Sequence, residues 1–202
     1  TGTSVVLVQG ASVDDTVELL VFDIFSVADS VSAKDGGTFS GTIAAAGYSS
    51  STAGTSNYIA GVNAGNSITA GGNYNVTVGD EAGTAITTGD NNTAVGYGAL
   101  EANTTADNNT AVGTEALDAN TTGHSNTAVG KAALGANTTA NNNTAVGYNA
   151  LTANTEGFSN TAFGSRAGDA ITTGDYNTAL GNLALSADTT GAGSVAIGHA
   201  AL

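Results

Sequence analysis

From Asn57 onward the apolar and polar positions of the chain recur in a fixed order. An apolar residue standing just before a glycine falls at Val78, Val95, Val112, Val129, Val146, Phe163, Leu180 and Ile197, a step of 17 residues each time. The glycine follows at Gly79, Gly96, Gly113 and onward to Gly198, and three residues later comes a fixed alanine, from Ala82 and Ala99 to Ala201. An earlier unit, Asn57 to Tyr74, obeys the pattern with one extra residue. A period this short is too small for a helix pair and suits one turn of a solenoid, whose stacked rungs hydrogen-bond to those above and below. Within a unit the T-A-V tripeptide alternates. Thr93 and Val95 point one way and Ala94 the other, which predicts a short strand. The glycine after it ends the strand or admits another backbone closely. The T-T-G-D-N, T-A-D-N-N and T-G-H-S-N segments from Thr88, Thr105 and Thr122 read as turns, because Asn, Asp and Gly accept left-handed backbone. Ala106 and Ala140 in the usual glycine slot argue that positive φ is not required there.

Two positions vary together. Units with Leu after the fixed alanine (Leu100, Leu117, Leu134, Leu151, Leu185) carry Asn or Asp three residues on, at Asn103, Asn120, Asn137, Asn154 and Asp188. Where Gly65, Gly83 and Gly168 replace the Leu, Ile68, Ile86 and Ile171 replace the Asn. The swap predicts one interior pocket filled from either position, as close packing demands, and a bend between them. A left-handed corner that moves with the swap is a second expected cause. The expected fold is therefore all-β, a parallel β-solenoid or β-roll of 17-residue rungs. Its expected core is Val78, Val95, Leu100, Val112, Leu117, Val129, Leu134, Val146, Leu151, Phe163, Leu180, Leu185 and Ile197.

Residues 57–202 form this repeat region. Residues 1–25, with the apolar runs Ser4–Val8 and Thr16–Phe22 around a turn cluster, read as a β-hairpin ending a small β-module. Residues 26–56, rich in Ser, Gly, Ala and Thr, read as a linker or an irregular trimer segment between the two. The chain shows no basic leader ahead of an apolar run, so any targeting segment is expected to be absent or to lie upstream of Thr1.

Composition sharpens the picture. The 202 residues include 29 Gly but no Pro, Cys, Met or Trp, and only 6 Tyr and 5 Phe, so there is little bulk for an ordinary globular core. One rung offers about two substantial side chains, worth about 1.5–3 kcal/mol each when buried. Ordering its backbone costs about 1–2 kcal/mol per residue. Without cysteines or a ligand cluster, oligomerisation is the remedy left, and three chains sharing one core, intertwined or packed as a homotrimer, are expected. Three basic residues against 17 acidic ones, a formal charge of −14, argue against nucleic acid and anionic membrane as partners. The most apolar stretch, Val17 to Phe25, contains Glu18 and Asp23 and is too short to span a bilayer.

No catalytic, cofactor-binding or metal-ligating set emerges. His124 and His199 sit at different places in their units and read as solvated. Asp14 with Asp15 and Asp80 with Glu81 lack the loop spacing of a calcium site and read as turn or surface residues. No G-x-S-x-G elbow is present. Tyr97, Tyr148 and Phe158 stand at variable positions where a ring can stack on a sugar; isolated exposed aromatics are ordinarily without such a role. Threonine pairs such as 104–105, 121–122 and 138–139 would align in a stack as an ice-binding array does, against the simpler reading of turns that satisfy their own backbone.

The run N-T-A-V-G-Y-G-A-L (Asn92 to Leu100) with its N-T-T-G turns resembles repeats of phage tail fibres and related appendages. The closing S-V-A-I-G (Ser194 to Gly198) is similar to the signature of trimeric autotransporter adhesin heads, whose units are shorter. These resemblances imply a trimeric β-roll without catalytic residues, in a virion or other extracellular appendage. They imply a structural and adhesive fibre segment that displays weak contacts to a host-surface glycan or protein in three copies. A bacterial trimeric surface adhesin is the alternative, distinguished by a membrane-anchor domain in the full gene.

Overall fold

The computed structural model of the chain describes residues 54–202, all within one compact unit. The hairpin expected at 1–25 and nearly all of the 26–56 segment lie outside the described residues. Each T-A-V tripeptide, or the triplet in its place, forms a three-residue strand: β1 Tyr58–Ala60, β2 Val76–Val78, β3 Thr93–Val95, β4 Thr110–Val112, β5 Thr127–Val129, β6 Thr144–Val146, β7 Thr161–Phe163, β8 Thr178–Leu180 and β9 Val195–Ile197. They make one nine-stranded parallel sheet in chain order. Equivalent residues stand opposite one another, Thr110 on Thr127, Ala111 on Ala128, Val112 on Val129. The expected parallel β-solenoid is thus the fold, and at about 4.8 Å per rung the stack is on the order of 40 Å long. The repeat's bonding already includes Thr55, whose carbonyl accepts the Tyr74 N–H at 2.9 Å.

The strands stop after three residues because of the glycine that follows. Gly113 has φ +134°, and a Cβ on it would lie 2.6 Å from the Gly130 carbonyl oxygen one rung on. Both proposed reasons for the glycine hold together, since the backbone there is left-handed and the next rung approaches too closely for any side chain.

The alternation along each strand is real, but its sense is opposite to the core assignment. Ala94, Ala111, Ala128, Ala145 and Ala162 are fully buried. Val112, Val129, Phe163, Leu180 and Ile197 are exposed, and Val78, Val95 and Val146 are only partly covered. These eight residues form an outward column and are not the interior of this chain. Leu100, Leu117, Leu134, Leu151 and Leu185 are buried as expected. The physical reason is the radius of the coil. A rung with a three-residue strand and tight corners leaves room for methyl groups opposite the strand and for one larger side chain at a corner.

The interior is completed by asparagine. Asn92, Asn109, Asn126, Asn143 and Asn160 are fully buried, as are Asn103, Asn120, Asn137 and Asn154. In the first column, Asn126 Oδ1 accepts the Asn143 N–H at 2.9 Å while its Nδ2 donates to the Ala140 carbonyl at 2.8 Å. The same two bonds recur rung after rung, at Asn109 to Asn126 and Gly123, and at Asn143 to Asn160 and Gly157. In the second column the amides bond one another, Asn120 Nδ2 to Asn103 Oδ1 at 3.0 Å and Asn137 Nδ2 to Asn120 Oδ1 at 2.9 Å. These ladders satisfy backbone groups that a rung without regular secondary structure at its corners would otherwise bury unpaired. A single chain therefore encloses an interior of its own. What sequence reasoning took for thin packing is an interior held by hydrogen bonds as much as by bulk.

The Leu/Gly swap is a pocket exchange, as expected. A Cβ on Gly83 would lie 2.8 Å from Ile86 Cδ1, and one on Gly168 would lie 2.9 Å from Leu151 Cδ2 and 3.1 Å from Ile171 Cδ1. The corner itself does not move with the swap. Leu100, Leu117 and Leu134 have φ of 52–53°, and Gly83 and Gly168 have 59° and 62°. The left-handed residue stays where it is, and leucine accepts backbone that β-substituted residues seldom adopt because its side chain fills the centre of the coil. The exchange leaves one trace: Asn154 Oδ1 is buried without a partner, because Ile171 stands where the next amide of the ladder would donate.

Candidate binding surface

Three sets of outward columns line the rod. The first is the strand face. Its residues are the two outward positions of every strand, from Tyr58 and Ala60 to Val195 and Ile197, and none of them is charged. In a chain of formal charge −14, nine uncharged rungs in a row need a cause. The repeats supply a second measure. From β3 to β8 the first strand residue is always Thr, and the last is always aliphatic or Phe. The position after the glycine, equally outward, runs through Asp80, Tyr97, Thr114, Lys131, Tyr148, Ser165, Asn182 and His199. The strand columns are thus exposed or half-buried in one chain yet nearly uniform among its rungs.

The turn columns form the second set. Thr104, Thr121 and Thr138 each donate a hydroxyl hydrogen bond to the equivalent threonine carbonyl of the next rung, at 3.3, 3.0 and (to Thr155) 3.4 Å. The first member of each threonine pair is therefore tied to the backbone. One outward column remains, Thr88, Thr105, Thr122, Thr139 and Thr173, interrupted by Glu156. Beside it the turn acids also join rungs: Asp107 Oδ1 accepts the Asp90 N–H at 2.8 Å and Asp175 Oδ1 the Phe158 N–H at 2.9 Å. His124 does the same through Nδ1, accepting the Asp107 N–H at 2.9 Å, which places its ring proton on Nε2. Among the described residues no group of His, Asp and Glu is arranged to hold a metal ion.

The third set follows the strand glycine and carries the variable side chains. Asp80 Oδ1 accepts the Val62 N–H at 3.1 Å, and Glu81 Oε1 accepts from Asn63 Nδ2 at 2.9 Å, so this adjacent carboxylate pair braces rungs. Glu101, Glu115 and Asp118 gather on the same face. Burial pushes the Asp118 carboxyl above the usual carboxylate range, with the charges of Glu115 and Glu101 acting in the same direction. Toward the other end come Lys131 and Arg166, the latter paired with Asp169 at 2.7 Å.

The three aromatic candidates do not come together. Tyr97 and Tyr148 occupy one column, three rungs apart, and are 56% and 52% exposed. Phe158 lies on the turn columns and packs edge-on against Tyr176, ring centroids 5.0 Å apart. No family model, curated protein or solved structure matches this chain. Among the described residues no helix is long and apolar enough to cross a membrane.

Proposed function

We propose that the chain is a shaft segment of an extracellular attachment fibre of the phage tail-fibre kind, in which three copies lie side by side with their strand faces together. The observation that carries this reading is the uncharged strand face, uniform from β3 to β8 and exposed or half-buried in one chain. Packing three such faces about one axis removes the outward aliphatic columns from water, a gain of about 25 cal/mol per Å² of apolar surface. It leaves the charged and aromatic columns outside, each repeated three times, so weak contacts with a host surface add by effective concentration. Rigidity comes from the continuous sheet and the asparagine ladders, and the fibre acts as a spacer and a display surface, with no chemistry of its own.

Mass measurement in solution tests the reading. The chain is 19.4 kDa, and a species three times that mass is expected. Val112→Asp with Val129→Asp places two carboxylates in the middle of the strand face, outside the coil's own interior. The double variant is expected to run as a folded monomer with an unchanged circular dichroism spectrum. A monomeric wild-type chain would overturn the proposal, as would a trimer indifferent to both aspartates.

A further inference from the structure

We propose that Tyr148, with Lys131 and Arg166 on either side of it, is a binding subsite for a carboxylate-bearing saccharide. The proposal rests on the display role argued above and names the ligand class that the variable face would recognise.

Lys131 and Tyr148 share one column in successive rungs, and the Lys131 carbonyl accepts the Asn149 N–H at 3.0 Å. The Tyr148 carbonyl in turn accepts the Arg166 N–H at 2.8 Å, which sets Arg166 on the rung beyond. Rungs about 4.8 Å apart bring an ammonium, a phenol ring and a guanidinium within the reach of one or two sugar rings. Among the described residues these are the only two side-chain cations besides histidine, and they flank the same exposed tyrosine. Among the described residues the one ion pair made by Lys or Arg is Arg166 with Asp169. Lys131 has none, and Arg166 engages Asp169 through Nε, leaving both terminal nitrogens to donate outward. A pyranose laid on the Tyr148 ring offers its C–H face to the aromatic surface, while its carboxylate meets a guanidinium able to donate two parallel bonds.

The contrast with Tyr97 argues that the arrangement is particular to Tyr148. Tyr97 has the same column and nearly the same exposure, but the rung before it holds Asp80 and Glu81, its own holds Glu101, and the next holds Glu115 and Asp118. The face is thus acidic around one tyrosine and basic around the other, three rungs away. An anionic sugar is repelled from the first and attracted to the second, whereas a neutral sugar has no reason to discriminate.

The test is titration of the full chain with a galacturonic acid tetramer, and with a neutral galactose tetramer, at low and at physiological salt. Binding of the acidic tetramer alone, weakening as salt rises, is expected. Lys131→Gln, Arg166→Gln and Tyr148→Ala are each expected to weaken it by about 5- to 10-fold, with Tyr97→Ala unchanged. All four side chains are exposed, so circular dichroism should confirm intact folds. Equal binding of the neutral tetramer, equal losses from Tyr97→Ala and Tyr148→Ala, or no binding of the acidic tetramer up to millimolar concentration would each overturn the subsite. A trimer that ignores the acidic tetramer refutes the site and leaves the shaft standing; a monomer that binds it does the reverse.

Discussion

Replacing Asn126 by Ala strikes one rung of the first asparagine ladder at its centre. The side chain is fully buried, accepts the Asn143 N–H at 2.9 Å and donates to the Ala140 carbonyl at 2.8 Å. Alanine removes both bonds. The Ala140 carbonyl still accepts from Asn137 Nδ2 at 3.2 Å, so one backbone donor, the Asn143 N–H, is left stranded. A stranded donor costs about 1–3 kcal/mol, and the truncation also opens a small void, so the expected loss is about 2–4 kcal/mol. Urea unfolding followed by circular dichroism measures it, with Lys131→Gln, an exposed residue without an ion pair, as the reference change. Because a stack of rungs can open locally, hydrogen exchange at Asn143 and Thr144 should report the same substitution as faster opening near that rung. A loss under about 1 kcal/mol would refute the view that amide ladders, rather than apolar bulk, hold this interior.

Two further changes probe the same interior. Gly168→Leu alone should destabilise, since its side chain would press on Leu151 and Ile171, and Ile171→Asn alone should leave a void. Together they convert the rung to the Leu/Asn form and give Asn154 Oδ1 the amide donor it lacks, so the double variant should melt no lower than the wild type. A double variant as unstable as the sum of the singles would dismiss the pocket exchange. Asp118 carries a carboxyl whose folded pKa is raised, chiefly by burial. The folded state therefore binds the proton more tightly than the unfolded one, and stability is lost as pH rises from the unfolded pKa through the folded one. Asp118→Asn should raise the melting temperature at pH 7 and make little difference below the usual carboxylate range; a gain confined to low pH would contradict this.

The asparagine columns illustrate how sequence can carry a signal that residue type conceals. Asn-Thr-Thr reads as a solvated turn because Asn and Thr favour turns. Yet this position is Asn in every rung from Asn57 to Asn177 and Ser194 only in the last, while the position two before it drifts through Asp90, Asp107, His124, Asn141 and Phe158. Invariance beside drift is what a buried, hydrogen-bonded position produces, and it distinguishes a ladder from a turn. The exposed tyrosines pose a similar case. Their residue type named them as candidates, but only the stacking of columns separated Tyr148 among cations from Tyr97 among carboxylates.

The period of 17 by itself determined a parallel stack with equivalent residues in register, because a fixed repeat can only align with itself when each turn lies on the last. The Leu/Gly exchange likewise determined that two positions fill one pocket. An alternating tripeptide, however, states only that Thr and Val share a side and Ala takes the other. Which side is inward depends on how tightly the coil closes, and closure is set by left-handed backbone at Asn108, Gly113, Glu115 and Leu117 within one rung. That tight circuit admits methyl groups, one leucine and two amides, and so turns valine outward.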